Sequence, residues 1–165
     1  MPPSDPPPPA ATPRIIQATA AQLDAVAPLF DAYRQFYGLP ADLDAAHAYL
    51  AARFERNEAV IFLALLPQPE GETAAGFTLL YPSFGSLALR PVWILYDLFV
   101  TPACRRYGVG RALLERARIL ARDTGAAELS LQTALDNHTA QALYESAGWK
   151  RDDHYYTYTL TPSIP

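Results

Sequence analysis

The chain has 165 residues, the size of one domain, and half of them are apolar, which suffices for a hydrophobic core. Its formal net charge of −4 argues against nucleic acid or an anionic membrane as a partner. The single cysteine, Cys104, excludes an internal disulfide, and no apolar run approaches the roughly 20 residues of a membrane span, so we expect a cytoplasmic protein.

Residues 1–13 include seven prolines and almost no large apolar side chains. Such a segment cannot bury enough surface to offset the entropy of ordering it, so its composition predicts a disordered or polyproline-like tail. Docking to a partner through the prolines is the alternative. The predicted domain boundary lies at Arg14, and residues 14–165 are expected to form the folded part.

The first half of the folded part passes from a short strand through two helices to three strands. Thr19 is a suitable N-cap for the first helix, and Gly38 with Pro40 stops it. The remaining predicted elements of this half are a helix at 44–56, strands at 60–66, 74–81 and 92–100, and a loop at 82–89.

The second half begins with a loop rich in glycine and arginine, followed by a helix over 108–124 that Gly125 terminates. A strand at 128–133 comes next, and then a short helix that Asp136 or Asn137 caps and Gly148 ends. A final strand is predicted at 154–160. This order of elements, βααβββαβαβ, predicts one α/β (α+β) domain whose sheet is partly antiparallel and partly parallel.

The segment with the clearest chemical information spans residues 98–111, where a buried strand runs into a short loop that opens a long helix. The first turn of a helix leaves backbone N–H groups without partners, and the helix dipole makes that end positive. Gly108 and Gly110 allow an anion to approach the backbone closely. The nearby positive side chains are Arg105, Arg106 and Arg111. The segment therefore predicts a phosphate or pyrophosphate site, without the Walker or dinucleotide-binding spacing.

This segment resembles the phosphate loop of the GCN5-related N-acetyltransferase (GNAT) family. The family hallmark, Arg/Gln-x-x-Gly-x-Gly/Ala, is matched by Arg105, Gly108 and Gly110. A second family signature is matched by residues 137–149, Asn-His-Thr-Ala-Gln-Ala-Leu-Tyr-Glu-Ser-Ala-Gly-Trp. The resemblance covers about residues 15–160. Within the family, Asp97-Leu98-Phe99-Val100 is most similar to the spermidine/diamine acetyltransferase branch.

The resemblance implies a single GNAT-like domain with a mixed, mostly antiparallel central sheet that splays at the cofactor site and about four flanking helices. It implies acetyl-CoA as the cosubstrate, no metal, and a homodimer, although no residue demonstrates the dimer. Backbone groups of the strand would hold the acetyl-pantetheine arm, and N–H groups of the loop would hold the pyrophosphate. The implied cofactor-binding residues are Leu98, Phe99, Val100, Arg105, Arg106, Tyr107, Gly108, Val109, Gly110, Arg111, Asn137 and Ala140.

The resemblance also implies that Tyr144 is the general acid, and the chemistry of acetyl transfer favours a phenol independently. Attack of an amine on the thioester expels a thiolate, and a phenol with a pKa of about 10 can donate a proton to a leaving group of similar basicity. The alternative for Tyr144 is a half-buried aromatic on an amphipathic helix. For Asn137 the alternative is a helix N-cap, which is compatible with cofactor contact.

Asp97 is the candidate base that removes the proton from the acceptor ammonium before its nitrogen attacks. The spermidine/diamine branch has a further carboxylate where this sequence has Tyr96. Strand alternation predicts that one face of the strand carries Trp93, Leu95, Asp97 and Phe99, unless a bulge reassigns the faces. Orientation of a water, a structural role for Asp97, and deprotonation through water alone remain alternatives.

Aromatic side chains are the candidate acceptor site, because their rings can bind an ammonium by cation–π contact. The candidates are Tyr37, Tyr81 and Tyr96, whereas Phe36 is expected to pack in the core. None of the three histidines has the spacing of a metal site. We therefore predict an N-acetyltransferase that acts by direct attack on a small-molecule primary amine. A peptide acceptor, a non-catalytic CoA-binding module and a different phosphate ligand are the alternatives.

Overall fold

The computed structural model describes residues 12–162, so residues 1–11 of the predicted tail lie outside the described part of the chain. The chain divides into two compact units, one up to Gln132 and one from Thr133 onward. The helices and strands are β1 (Arg14–Gln17), α1 (Leu23–Phe36), α2 (Leu43–Glu55), β2 (Val60–Gln68), β3 (Gly71–Gly85), β4 (Arg90–Val100), α3 (Val109–Asp123), β5 (Glu128–Leu131) and α4 (His138–Ser146). None of the helices in residues 12–162 is both long and apolar enough to cross a membrane.

The five strands form one sheet in the order β1-β2-β3-β4-β5. The first four strands pair antiparallel with their neighbours, and β5 lies parallel to β4. Antiparallel neighbours need only short turns, so β2, β3 and β4 follow one another directly along the chain. A parallel neighbour requires a crossover connection, which α3 supplies.

The sheet has an apolar layer on each face, because alternate residues of a strand point to opposite sides. On one face, β2, β3 and β4 form a buried cluster with α1 and α2. Its large members are Phe30, Leu50, Ile61, Leu63, Phe77, Leu79 and Phe99. On the other face, α3 lies against the same three strands and buries Leu113, Leu114 and Ala117. Full burial of each Leu or Phe stabilises the fold by about 1.5–3 kcal/mol.

A β-bulge interrupts β4 at Tyr96. Leu79 of β3 pairs with Asp97, whereas the next residue, Leu80, pairs with Leu95. Tyr96 is therefore an extra residue on β4, opposite no residue of β3. An extra residue reverses the alternation of every side chain that follows it, so the bulge decides which face Asp97 occupies.

The bulge makes the predicted alternation of β4 wrong. Trp93 and Asp97 were expected on the same face, but Trp93 donates its indole N–H to Thr124 at the end of α3 (2.8 Å). Phe99 belongs to the cluster on the face of α1 and α2. The carboxylate of Asp97 also lies on that face, where it meets Tyr33 of α1. The alternative in which a bulge reassigns the faces is therefore the correct one.

Gly76 of β3 allows the backbone of β4 to approach closely near the end of that strand. A Cβ at this position would lie 2.4 Å from the carbonyl oxygen of Phe99 and 3.1 Å from the Cα of Val100. Any side chain would therefore push the two strands apart. Just beyond this point the N–H of Thr101 donates to the carbonyl of Ala75 (3.0 Å), which holds the end of β4 in place.

The β3–β4 hairpin is longer than the sequence predicts. β3 continues to Gly85, so much of the predicted loop at 82–89 is strand, and the turn is confined to residues 86–89. Pro82 does not interrupt β3, although proline cannot donate to the ladder. Thr19 is confirmed as an N-cap, but it caps a 3-10 turn at Ala20–Gln22 that leads into α1.

The unit from Thr133 onward contains α4 but not the predicted final strand. Residues 150–162 are exposed along their whole length and form neither helix nor strand, so the strand predicted at 154–160 is wrong. The tyrosines and threonines of that segment have high β propensity. Such propensity reflects the fit of a side chain to a half-buried pleated surface, and this segment packs on none.

Candidate active site

The loop between β4 and α3 leaves a row of backbone N–H groups without partners. After the 3-10 turn Pro102–Cys104 the chain turns into α3, whose first backbone bond runs from Ala112 to Gly108 (3.0 Å). The N–H groups from Arg106 to Gly110 donate to no group within residues 12–162, and no side chain of that range caps the helix. The loop therefore presents unused donors at the positive end of a helix dipole.

Two residues of this loop have a left-handed backbone, Gly108 with a φ of 75° and Arg106 with a φ of 70°. Glycine adopts this conformation readily, whereas an arginine does so at a cost of about 1–2 kcal/mol. A left-handed residue followed by a right-handed one turns successive N–H groups toward one point, and such a nest binds anions. A Cβ on Gly108 would meet nothing within 4 Å. Glycine is therefore needed there for its backbone conformation, and the space beside it is open.

The side chain of Arg105 ties the loop to the end of β4. Its Nε donates to the carbonyl oxygen of Val100 (3.1 Å), which leaves both Nη groups for another partner. A carbonyl oxygen has two lone pairs, so Val100 can still accept one further hydrogen bond. Arg106 is exposed. The loop thus carries cationic side chains beside its free N–H groups.

The edge of β4 is open beyond Leu95. β5 pairs with β4 from Val92 to Leu95, and within residues 12–132 no strand continues this pairing from Tyr96 to Val100. The sheet opens at the bulge, as the resemblance implies. An unpaired strand edge can accept an extended ligand through main-chain hydrogen bonds. Leu98 and Val100, the residues predicted to hold the cofactor arm, lie on this open stretch.

Asp97 is a buried carboxylate next to the bulge, with only 7% of its surface exposed. Burial raises its pKa from 3.8 to about 6, while the Tyr33 hydroxyl, acting as a hydrogen-bond donor to the carboxylate, lowers it by a smaller amount. Thr78 Oγ1 donates to the backbone carbonyl of Asp97 (2.8 Å), which fastens the bulge to β3. A carboxylate with such a pKa is mostly ionised at neutral pH and can still take up a proton, as a general base must.

Phenol side chains line the same face of the sheet as Asp97. The ring of Tyr81 meets that of Tyr96 edge-on, with centroids 5.2 Å apart. The hydroxyl of Tyr81 is hydrogen-bonded to the hydroxyl of Tyr49. Burial raises the pKa of both Tyr33 and Tyr81 well above the usual range of tyrosine. These two phenols therefore stay neutral, and the face combines one carboxylate with aromatic rings, which suits a cation.

The three predicted acceptor residues lie on this face with different exposure. Tyr96 is 63% exposed and Tyr81 is half-buried, while Tyr37 is exposed and its ring packs edge-on against Tyr33 (5.0 Å). The prediction that Phe36 packs in the core is wrong, because its side chain is 59% exposed. Phe36 lies in the last turn of α1, beyond Tyr33, whose ring contacts the sheet.

The sequence analysis missed Tyr33 and Tyr49 as site residues. Tyr33 precedes Tyr37 by four positions and so shares its face of α1, which is a signal present in the sequence. No comparable signal marks Tyr49, because only the packing of α2 brings it to Tyr81. The guanidinium of Arg53 lies over the ring of Tyr49, 4.7 Å from its centroid.

The second unit carries the remaining predicted residues on α4. Asn137 Oδ1 accepts a hydrogen bond from the N–H of Ala140 (3.2 Å), so Asn137 is the N-cap of this helix. The cap uses the carbonyl oxygen of the side chain and leaves its NH2 group for another partner. Tyr144 is half-buried near the other end of α4, with its ring 6.2 Å from that of Trp149.

One group of possible metal ligands occurs in residues 12–162. The ligand atoms of Asp152, Asp153 and His154 lie within 4.8 Å of one another, and all three residues are exposed. They are consecutive in the sequence, and exposed acidic groups often lie this close without binding an ion.

Comparison with known proteins decides the family. Residues 25–149 match the acetyltransferase (GNAT) family. The chain belongs to this GNAT family. It is 43% identical over 146 residues to the uncharacterized N-acetyltransferase YhfO of Bacillus subtilis (strain 168), with 88% of this chain and 95% of the relative covered. It is 30% identical over 156 residues to the aminoglycoside N(6')-acetyltransferase type 1 of Stenotrophomonas maltophilia, with 93% and 98% covered.

Solved GNAT structures share the fold. The crystal structure of a probable acetyltransferase superposes with a TM-score of 0.85 and 43% identity, and covers 92% of this chain and 99% of that one. An aminoglycoside N-acetyltransferase in complex with CoA has a TM-score of 0.71 at 20% identity, over 91% and 95% of the two chains. The predicted GNAT-like fold, with its mixed and mostly antiparallel sheet and four helices, is confirmed, and the chain is an acetyltransferase of this family.

Proposed function

We propose that this GNAT protein transfers the acetyl group of acetyl-CoA to the primary amine of a small molecule, by direct attack in a ternary complex. The observation that carries the proposal is the row of free N–H groups from Arg106 to Gly110 at the start of α3. A pyrophosphate is the group in acetyl-CoA that fits these donors, the helix dipole and the neighbouring guanidinium groups.

The other cofactor contacts follow from the open edge of β4. The acetyl-pantetheine arm contains amide groups, which can pair with the backbone of residues 98–100 as an added strand would. The NH2 group of Asn137 and the backbone near Ala140 complete the proposed set. When bound, acetyl-CoA supplies an acetyl thioester whose carbonyl carbon is open to attack.

Two side chains take the proposed proton-transfer roles. Asp97 removes a proton from the ammonium group of the acceptor, and its raised pKa of about 6 suits this role near neutral pH. Tyr144 donates its phenolic proton to the sulfur that leaves. A backbone N–H on the open stretch of β4 that faces the thioester oxygen would stabilise the negative charge formed there.

The proposed acceptor is a small molecule whose ammonium group binds among the tyrosines. Tyr37, Tyr81 and Tyr96 offer ring faces, and Asp97 offers the opposite charge. The aminoglycoside N(6')-acetyltransferase of Stenotrophomonas maltophilia is named for a small-molecule amine acceptor, which supports this substrate class. The homodimer and the cytoplasmic location stay predictions.

An amine panel with detection of free thiol tests the proposal. The purified full chain is mixed with acetyl-CoA and polyamines, amino acids, aromatic amines, aminoglycosides or a peptide with a free N-terminus. We expect thiol release that depends on one class of small amine, together with calorimetric binding of acetyl-CoA. Binding of acetyl-CoA without release on any amine would favour the non-catalytic module, and the absence of binding would overturn the cofactor site.

A further inference from the structure

The ring of Tyr33 contacts four other aromatic rings. Its centroid lies 5.0–6.5 Å from each of them, and three of these contacts are edge-on. The four rings are those of Phe30, Tyr37, Phe77 and Phe99. Such packing leaves the phenol little freedom to rotate, so the hydroxyl has a fixed position.

The phenol of Tyr33 interacts with the carboxylate of Asp97. Phe99, which contacts the Tyr33 ring, lies two residues after Asp97 on the same face of β4. Phe77, another contact, lies two residues before Leu79, the cross-strand partner of Asp97. The ring therefore stands beside the bulge, and the interaction of its hydroxyl with the carboxylate lowers the pKa of Asp97 against the effect of burial.

We propose that Tyr33 is the positioning residue of Asp97: its hydroxyl fixes the direction of the carboxylate and keeps it ionised when the acceptor arrives. This inference rests on the proposed function, in which Asp97 removes the proton of the acceptor. Tyr33 itself exchanges no proton in the reaction. One N–H bond of the ammonium breaks, one O–H bond forms on Asp97, and the nitrogen lone pair that is released attacks the acetyl carbon.

The surroundings of Asp97 explain why it needs this donor. Burial disfavours the charged form, and a hydrogen bond to the carboxylate opposes that effect. No arginine in residues 12–162 contributes to the pKa of Asp97; the guanidinium of Arg53 on α2 is paired with Glu58 (Nε to Oε2, 2.7 Å) and stacked on Tyr49. Among the described residues, the titratable groups that interact with Asp97 are Tyr33 of α1 and Tyr81 of β3. The next titratable groups out contact these two phenols: Tyr37 of α1 contacts Tyr33, while Tyr49 of α2 and Tyr96 of β4 contact Tyr81.

Tyr33→Phe tests the proposal, because it keeps the ring and removes only the hydroxyl. The titration of the Asp97 carboxyl is followed by carbon NMR, with Asp97→Asn to assign the signal, and kcat/KM is measured against pH. We expect both midpoints to move upward by about one pH unit, since a hydrogen bond to a charged group contributes about 1.5–3 kcal/mol and one unit corresponds to about 1.4 kcal/mol. Tyr49→Phe is the matched control, since it removes a phenol bonded to Tyr81, and it should leave the Asp97 midpoint in place.

Unchanged midpoints in a folded Tyr33→Phe protein would overturn the inference. If that variant does not fold, the wild-type chain provides the test. The Cζ chemical shift of Tyr33 should change with pH together with the titration of Asp97, and a Cζ shift that does not change with pH would also overturn the inference. Failure of the proposed function has a different signature. Full activity of an Asp97→Asn protein would show that Asp97 is not the base of the reaction. The NMR midpoints of the wild type and of Tyr33→Phe would still show whether Tyr33 sets the pKa of this carboxyl group.

Discussion

The N–H of Trp149 donates to the carbonyl oxygen of Tyr144 (3.1 Å), and the rings of these two residues lie 6.2 Å apart. Gly148, between them in the turn, has a φ of 88°, and its N–H donates to the carbonyl of Glu145 (3.1 Å). Together these contacts form a Schellman motif, in which a left-handed residue ends the helix and an apolar contact closes it. The end of α4 therefore helps to hold the ring of the proposed general acid.

Gly148→Ala should weaken this motif. Alanine in the left-handed conformation costs about 1 kcal/mol, although its Cβ would meet nothing within 4 Å. We expect a loss of about 1 kcal/mol in the free energy of unfolding and a lower kcat, measured by denaturant titration and thiol release. Gly125→Ala is the matched control, because Gly125 ends α3 with a φ of 66° and equally open space. Equal losses of kcat in both variants would contradict a specific role for the end of α4.

Tyr144→Phe should lower kcat by about 10²- to 10⁴-fold, the usual contribution of one positioned proton donor. The phenylalanine ring keeps the contact with Trp149, so the affinity for acetyl-CoA should stay close to that of the wild type. Thiol release gives kcat, and calorimetry gives the affinity. A variant with unchanged kcat would show that Tyr144 does not supply the proton.

Substitutions of Gly108 separate backbone conformation from charge. Asn and Asp both tolerate the left-handed conformation better than other residues do, and they have nearly the same shape. Gly108→Asp adds a negative charge where the anion is proposed to bind, so it should abolish measurable binding of acetyl-CoA, whereas Gly108→Asn should weaken it only moderately. Calorimetry at two salt concentrations measures both. Similar affinities for the Asp and Asn variants would mean that no anion binds at this turn.

Asp97→Asn should stabilise the fold at neutral and alkaline pH. Because the folded pKa of Asp97 is about 6 and its usual value is 3.8, the folded state binds this proton more tightly than the unfolded state does. The resulting stability is complete below about pH 3.8 and is lost as the pH rises through about 6, by up to about 3 kcal/mol.

The asparagine variant has no charge to bury, so near pH 8 it should exceed the wild type in free energy of unfolding by about 1–2 kcal/mol, with a smaller difference near pH 4. Denaturant titrations at several pH values measure this difference, and thiol release should fall in the same variant. Asp136→Asn, at an exposed position, controls for the loss of one carboxylate. A difference that does not depend on pH would mean that Asp97 is not destabilised by burial.

The sequence by itself predicted the elements with strong local signals. The loop before α3 was predictable because Gly108 and the arginines lie within a few residues of one another, and the backbone N–H groups of a helix start are free wherever such a helix begins. The caps at Thr19 and Asn137 were predictable for the same reason, since a capping side chain bonds to backbone only two or three residues away.

Only the tertiary structure decided the face of Asp97, the exposure of Phe36 and the fate of residues 154–160. A one-residue bulge at Tyr96 appears only when β4 is aligned with β3, so alternation along β4 alone could not reveal it. Tyr33 and Tyr49 join the site because α1 and α2 pack on that face of the sheet. Local signals depend on bonds between near neighbours, whereas the partner of a side chain in the core is set by elements distant in the chain, and no short stretch of sequence contains both.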